Sequence, residues 1–138
     1  MNSAILKITR ADLDADGYYI GATDVSQPFD GSIEIDGDIG VVRFKTSLKS
    51  KYSIRSKAGT SIVSGGSIKA RGSIEAGGSI VSGLWIASKW IKARLRIFAG
   101  LCSWRMPKSN EMEIRADLRG GTIAFGAHVP PAVEQGGR

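Results

Sequence analysis

The chain contains one histidine, His128, and one cysteine, Cys102. A thiolate or imidazole metal site needs several such ligands, and an internal disulfide needs a second cysteine, so zinc and redox chemistry lack the residues they require. Cys102, in Ala-Gly-Leu-Cys-Ser-Trp, reads as a small apolar residue packed in the interior. Four acids, Asp30, Glu34, Asp36 and Asp38, are close enough in sequence to suggest calcium. They lack the Asp-x-Asp-x-Asp-Gly loop closed by Glu, and their alternation along a strand-like stretch turns them toward water. Gly65-Gly66 and Gly77-Gly78 are not followed by Gly-Lys-Ser/Thr and a helix, so neither pair cradles phosphate. No nucleophile stands beside a base in a recognisable constellation. The residues therefore predict no enzyme, no cofactor and no metal.

Charge is the stronger signal. Residues 1–38 carry eight acids against Lys7 and Arg10, whereas residues 39–110 carry fourteen bases against Glu75 alone. The run Arg43, Lys45, Lys49, Lys51, Arg55 and Lys57, continued by Lys69 and Arg71, would attract phosphates or an acidic protein surface. The same residues also suit a solvated strand surface whose lysines discourage edge pairing, or balance against the acidic N-terminal segment. No helix-turn-helix, zinc-finger or RNP-like pattern accompanies them.

What must position these side chains is a repeat. Ile62, Ile68, Ile74, Ile80 and Ile86 recur every sixth residue, with Ser or Ala always two places later. A period of six keeps a strand on one face and would scatter a helix, and a flexible Gly/Ser linker has no reason to place Ile so regularly. Each unit is a short strand with one large and one small inward residue, closed by a glycine corner that is expected to use backbone angles other residues avoid. Three units make a coil of about eighteen residues. The fold expected is all-β: a single-domain triangular parallel β-helix.

The coils read Leu48/Ile54/Ile62, Ile68/Ile74/Ile80 and Ile86/Ile91/Ile97, with Ile33, Ile39 and Phe44 in an irregular coil before them. Two residues are inserted near Lys57-Ala58-Gly59 and one is deleted before Ile91. Outward positions on the first side are then Lys49, Lys69 and Ala87; on the second, Arg55, Glu75 and Lys92; on the third, Val63, Val81 and Phe98. The third side is apolar both inside and outside, which makes it a docking or dimer face.

Residues 1–44 are expected to form an N-terminal cap and irregular first coil, with strands Ala4–Thr9 and Tyr18–Ala22 around a helical turn in Arg10–Asp16. Residues 45–104 hold the regular coils and 105–138 a C-terminal hairpin and mobile tail. The hairpin pairs Met112–Leu118 with Thr122–Phe125 across Arg119-Gly120-Gly121 and is expected to dock on the apolar third side. Trp85 and Trp90 replace the Ser before Ile; they either pack under a terminal segment or anchor a partner. No apolar run is long enough to span a bilayer and the first residues lack a signal-peptide pattern, so no membrane association and a cytosolic location are expected.

Hexapeptide acyltransferases share only the period: their small residue falls four places after the aliphatic one, not two. The stretch Gly-Ser-Ile-Lys-Ala-Arg-Gly-Ser-Ile-Glu-Ala-Gly-Gly-Ser-Ile, followed by Leu-Arg-Ile-Phe-Ala-Gly-Leu-Cys-Ser-Trp-Arg-Met-Pro, resembles small hexad-repeat proteins of phages, prophages and mobile elements. That resemblance covers about Gly59–Pro107 and extends to the Thr122–Gly126 strand. It implies a mobile-element setting, and with the absent chemistry it points to a rigid interaction module that occludes a host protein or nucleoprotein complex, such as an anti-CRISPR inhibitor. Two alternatives stand beside it: a self-assembling structural protein resembling bactofilins, and a nonspecific nucleic-acid binder.

Overall fold

Isoleucine at every sixth position puts one branched apolar side chain at the same inward point of each short strand, so strands stacked in parallel build continuous columns. A computed structural model of the chain, describing residues 4–36, 40–102 and 106–130, has this form. Its strands are β1 (Ala4–Ile8), β2 (Gly31–Ile35), β3 (Val41–Phe44), β4 (Leu48–Ser50), β5 (Ile54–Ala58) and β6 (Ser61–Ser64). They continue with β7 (Ile68–Ala70), β8 (Ser73–Gly77), β9 (Ile80–Ser82), β10 (Ile86–Phe98), β11 (Glu113–Phe125) and β12 (Ala127–Val129). All named strand pairs are parallel, and the chain is a parallel β-helix.

On the first side Leu48, Ile68, Ile86 and Ile114 stack. On the second side the column is Leu6, Ile33, Ile54, Ile74, Ile91 and Leu118. The third column is Val42, Ile62, Ile80, Ile97 and Ile123. The expected order of the three regular coils is the observed one. Val42, not Phe44, lies under Ile62; Phe44 is buried two residues further on, opposite Ser64. Ile39 lies outside the described residues.

Where a hexad has serine both before Ile and two places after it, the two do different work. The Ser before Ile accepts a hydrogen bond from a backbone N–H one layer up: Ser67 N–H on Ser47 Oγ at 3.1 Å, Ser73 on Ser53 at 3.3 Å, Ser79 on Ser61 at 2.8 Å. The inward Ser donates to a corner carbonyl of the layer below: Ser64 Oγ to Thr46 O and Ser82 Oγ to Gly66 O, both at 2.6 Å. Corners interrupt the ladder; the first set of hydroxyls satisfies N–H groups left without a ladder partner, and the inward hydroxyls add a second donor to carbonyls that also accept from Gly66 and Leu84 N–H at 3.1 Å.

The glycines of the repeat act through size rather than backbone angle. Positive φ occurs at Gly17, Gly40, Gly59, Gly100, Gly121 and Gly126, and not at Gly66, Gly72 or Gly78. A Cβ at Gly66 would lie 2.6 Å from Ser47 Oγ, and one at Gly72 would lie 2.7 Å from Ser53 Oγ. Glycine therefore precedes Ser because it must sit over the serine hydroxyl one layer below.

Both ends differ from expectation in the same way: each is more coil. β1 lies under β2 on the second side, Tyr18 bridges Arg43 on the third, and Val25–Phe29 pairs with β4 on the first. Residues 4–29 therefore form a first turn of the helix, interrupted at the second corner by residues 9–17, which carry the short 3-10 turn Arg10–Asp12. The strand expected over Tyr18–Ala22 is reduced to bridges. At the other end there is no hairpin. β11 runs parallel to β10 along all three sides, placing Ile114, Leu118 and Ile123 over Ile86, Ile91 and Ile97, and β12 then pairs parallel with β11. Gly121, at φ +94, lets the chain turn a coil corner rather than reverse.

Candidate functional site

Alternation in each strand points every second side chain outward, so the sides carry columns of surface residues one layer, about 4.8 Å, apart. The second side reads Lys7, Glu34, Arg55, Glu75, Lys92, with signs alternating at every step. Arg55 Nε lies 3.3 Å from Glu75 Oε1, and nearby Lys57 Nζ lies 3.9 Å from Asp36 Oδ1. Arg55 and Lys57 are thus balanced within the coil and do not belong to an open basic surface. Glu34 and Asp36, two of the acids considered for calcium, stand here among bases. Asp38 lies outside the described residues, among which no metal-binding cluster of His, Cys, Asp and Glu occurs.

The first side breaks this rule. Lys49 stacks directly under Lys69 with no acid between them, followed by Ala87 and then Arg115, which pairs with Glu113. At the adjoining corner Arg71 N–H bonds Ser50 O beside Lys51, and Lys89 N–H bonds Gly72 O. Lys49, Lys51, Lys69, Arg71 and Lys89 are therefore gathered on one side and its edge, and Lys51, Lys69, Arg71 and Lys89 are exposed. Like charges stacked in neighbouring strands repel, so this arrangement costs stability that the second side avoids. Lys89 was not singled out in the sequence; the register that sets it level with Gly72, next to Arg71, depends on the one-residue deletion before Ile91.

Arg43 and Lys45 belong to the third side. Tyr18, Arg43, Val63, Val81, Phe98 and Phe125 follow one another up its outer surface. The expected cover is absent, because residues 113–125 extend the coil instead of folding over its flank. Val63, Val81 and Phe98 remain partly exposed, and Leu101 and Phe125 are 43% and 41% exposed. A groove of about 450 Å³ runs along Tyr18, Arg43, Val63, Val81 and Leu101. Lys45 Nζ stands 5.6 Å from the Tyr18 ring centroid.

Trp85 and Trp90 pack beneath the last layer. The Arg119 guanidinium lies 5.2 Å from the Trp90 ring centroid, and Trp85 shares a cleft of about 500 Å³ with Lys69, Asn110, Glu113 and Arg115. Both rings are half-buried. Cys102 is half-buried rather than fully interior. His128 stacks over Ile114 with Nε2 2.7 Å from Ala116 O, which ties its ring to the last layer of the coil.

No helix among the described residues is long and apolar enough to cross a membrane. In comparisons with protein-family models, curated proteins and solved structures, the chain matches none of them.

Proposed function

We propose that this chain is a non-enzymatic interaction module, encoded by a mobile element and acting in the host cytoplasm. In this reading it binds and occludes a defence or nucleoprotein complex in the manner of an anti-CRISPR inhibitor. One observation carries the reading: the direct stack of Lys49 and Lys69, flanked by Lys51, Arg71 and Lys89, with Glu111 and Glu113 in the cleft above Lys69. A coil that interleaves opposite charges on its second side has kept like charges together on its first. That cost is offset when an acidic surface covers them. The strands hold the lysine backbones in fixed register, so little ordering entropy is lost on binding.

The test is capture of bacterial lysate proteins on the immobilised chain, with and without nuclease. A stoichiometric, nuclease-resistant complex supports the occlusion reading and identifies its target. Signal that disappears with nuclease and falls steeply with salt assigns the same face to nucleic acid instead. End-to-end assembly resembling bactofilins receives less support, because the Leu13–Tyr19 antiparallel bridge occupies the third-side edge at the first coil.

A further inference from the structure

The apolar third side lies on a different flank from the basic face, and its residues are arranged to meet themselves. We propose that it is the interface of an antiparallel homodimer, related by a two-fold axis lying along the strand direction between Val63 and Val81. That operation preserves strand direction and exchanges the two ends of the coil. Counting layers from the centre, Val63 meets Val81 of the second copy, Arg43 meets Phe98, and Tyr18 meets Phe125. The contacts formed are aliphatic at the centre, cation over ring next to it, and aromatic at the rim.

Charge makes the same choice of partner and orientation. The corner between second and third sides carries Asp14 and Asp16 at its N-terminal end, beside Val41 and Arg43. At its C-terminal end the same corner carries exposed Arg94 and Arg96. A parallel pair, related by a two-fold along the coil axis, would bring this corner against the one between third and first sides and leave the acids and the arginines without each other. The antiparallel pair sets Asp14 and Asp16 opposite the arginines twice, which is what an isologous contact requires. Five layer spacings of about 4.8 Å and a side about 15 Å wide give a footprint of about 360 Å² per copy, below that of stable complexes, so the dimer is a weak one populated at high protein concentration.

Sedimentation across a concentration series tests this on the full chain. The wild type should pass from monomer to dimer, and Val81→Asp should weaken association at least tenfold with an unchanged circular dichroism melt, because Val81 faces outward. Arg96→Glu should also weaken it, and adding Asp16→Arg to Arg96→Glu should recover it by restoring opposite charges across the two-fold. A wild type that stays monomeric at the highest concentration overturns the proposal, as does a dimer indifferent to Val81→Asp. Failure of the charge exchange to restore a dimer lost in Arg96→Glu overturns the antiparallel arrangement.

Discussion

At the residue scale the repeat is a scheme for satisfying backbone groups at corners. Ser82 is fully buried and its hydroxyl donates to Gly66 O. Ser82→Ala removes one of the two donors to that carbonyl, Leu84 N–H at 3.1 Å being the other, and should cost about 0.5–1.5 kcal/mol in urea unfolding. Gly78 has Ser61 directly beneath it, with no room for a Cβ. Gly78→Ala should cost about 1–3 kcal/mol by overpacking, although alanine is otherwise the mildest of replacements. Asp24 offers a pH test. Its carboxyl accepts from Ser26 Oγ at 2.5 Å and from Ser26 N–H at 3.0 Å, which hold it below the usual carboxylate range. The stabilisation from this depressed group is present above the ordinary carboxylate value and lost as pH falls through the folded one. Ser26→Ala should move the Asp24 titration upward, as read by NMR. The sequence pattern shows that Ser and Gly recur, but their jobs become visible only when one layer is set over the next.

At the element scale the contrast is between two columns built from the same residue types. Arg55→Glu would place a new carboxylate between Glu34 below and Glu75 above, so that three consecutive layers carry acids. It should lower stability by about 0.5–1 kcal/mol at low salt, with the loss shrinking as salt is added. Lys69→Glu does the reverse, placing an acid above Lys49, and should leave the fold as stable or raise it by about 0.2–0.5 kcal/mol. Thermal melts of both variants at two salt concentrations separate these outcomes; equal destabilisation would show that the first-side stack is not repulsive. The three regular coils were legible because Ile62 to Ile86 never slip in period. The ends were not, for identifiable reasons. Ile114, Leu118 and Ile123 are spaced by four and five rather than six, and Arg119-Gly120-Gly121 carries the signature of a hairpin turn as well as of a coil corner. At the start, the excursion over residues 9–17 separates β1 from Tyr18 and hides that they are successive sides of one coil.

At the scale of the whole molecule, the linear basic run from Arg43 to Lys57 is dealt out to all three sides. Arg43 and Lys45 join the apolar flank, Lys49 and Lys51 the basic one, and Arg55 and Lys57 the balanced second side. Period counting placed Lys49 and Lys69 together and already set Glu75 over Arg55, but Glu34 on its other side and the Arg55–Glu75 ion pair became visible only with the register of the coils. In the proposed reading the molecule has one face for an acidic partner and another for its own copy, with no overlap between them. Net charge alone would make any two of these bases equivalent, whereas the geometry makes them unequal. The decisive measurement is therefore quantitative capture of the bound lysate complex by two double variants of identical charge change. Lys49→Glu with Lys69→Glu should abolish capture, and Arg55→Glu with Lys57→Glu should retain most of it once both are shown to be folded. Equal loss in the two, or full capture by the Lys49/Lys69 variant, would contradict the assignment of the first side as the binding face.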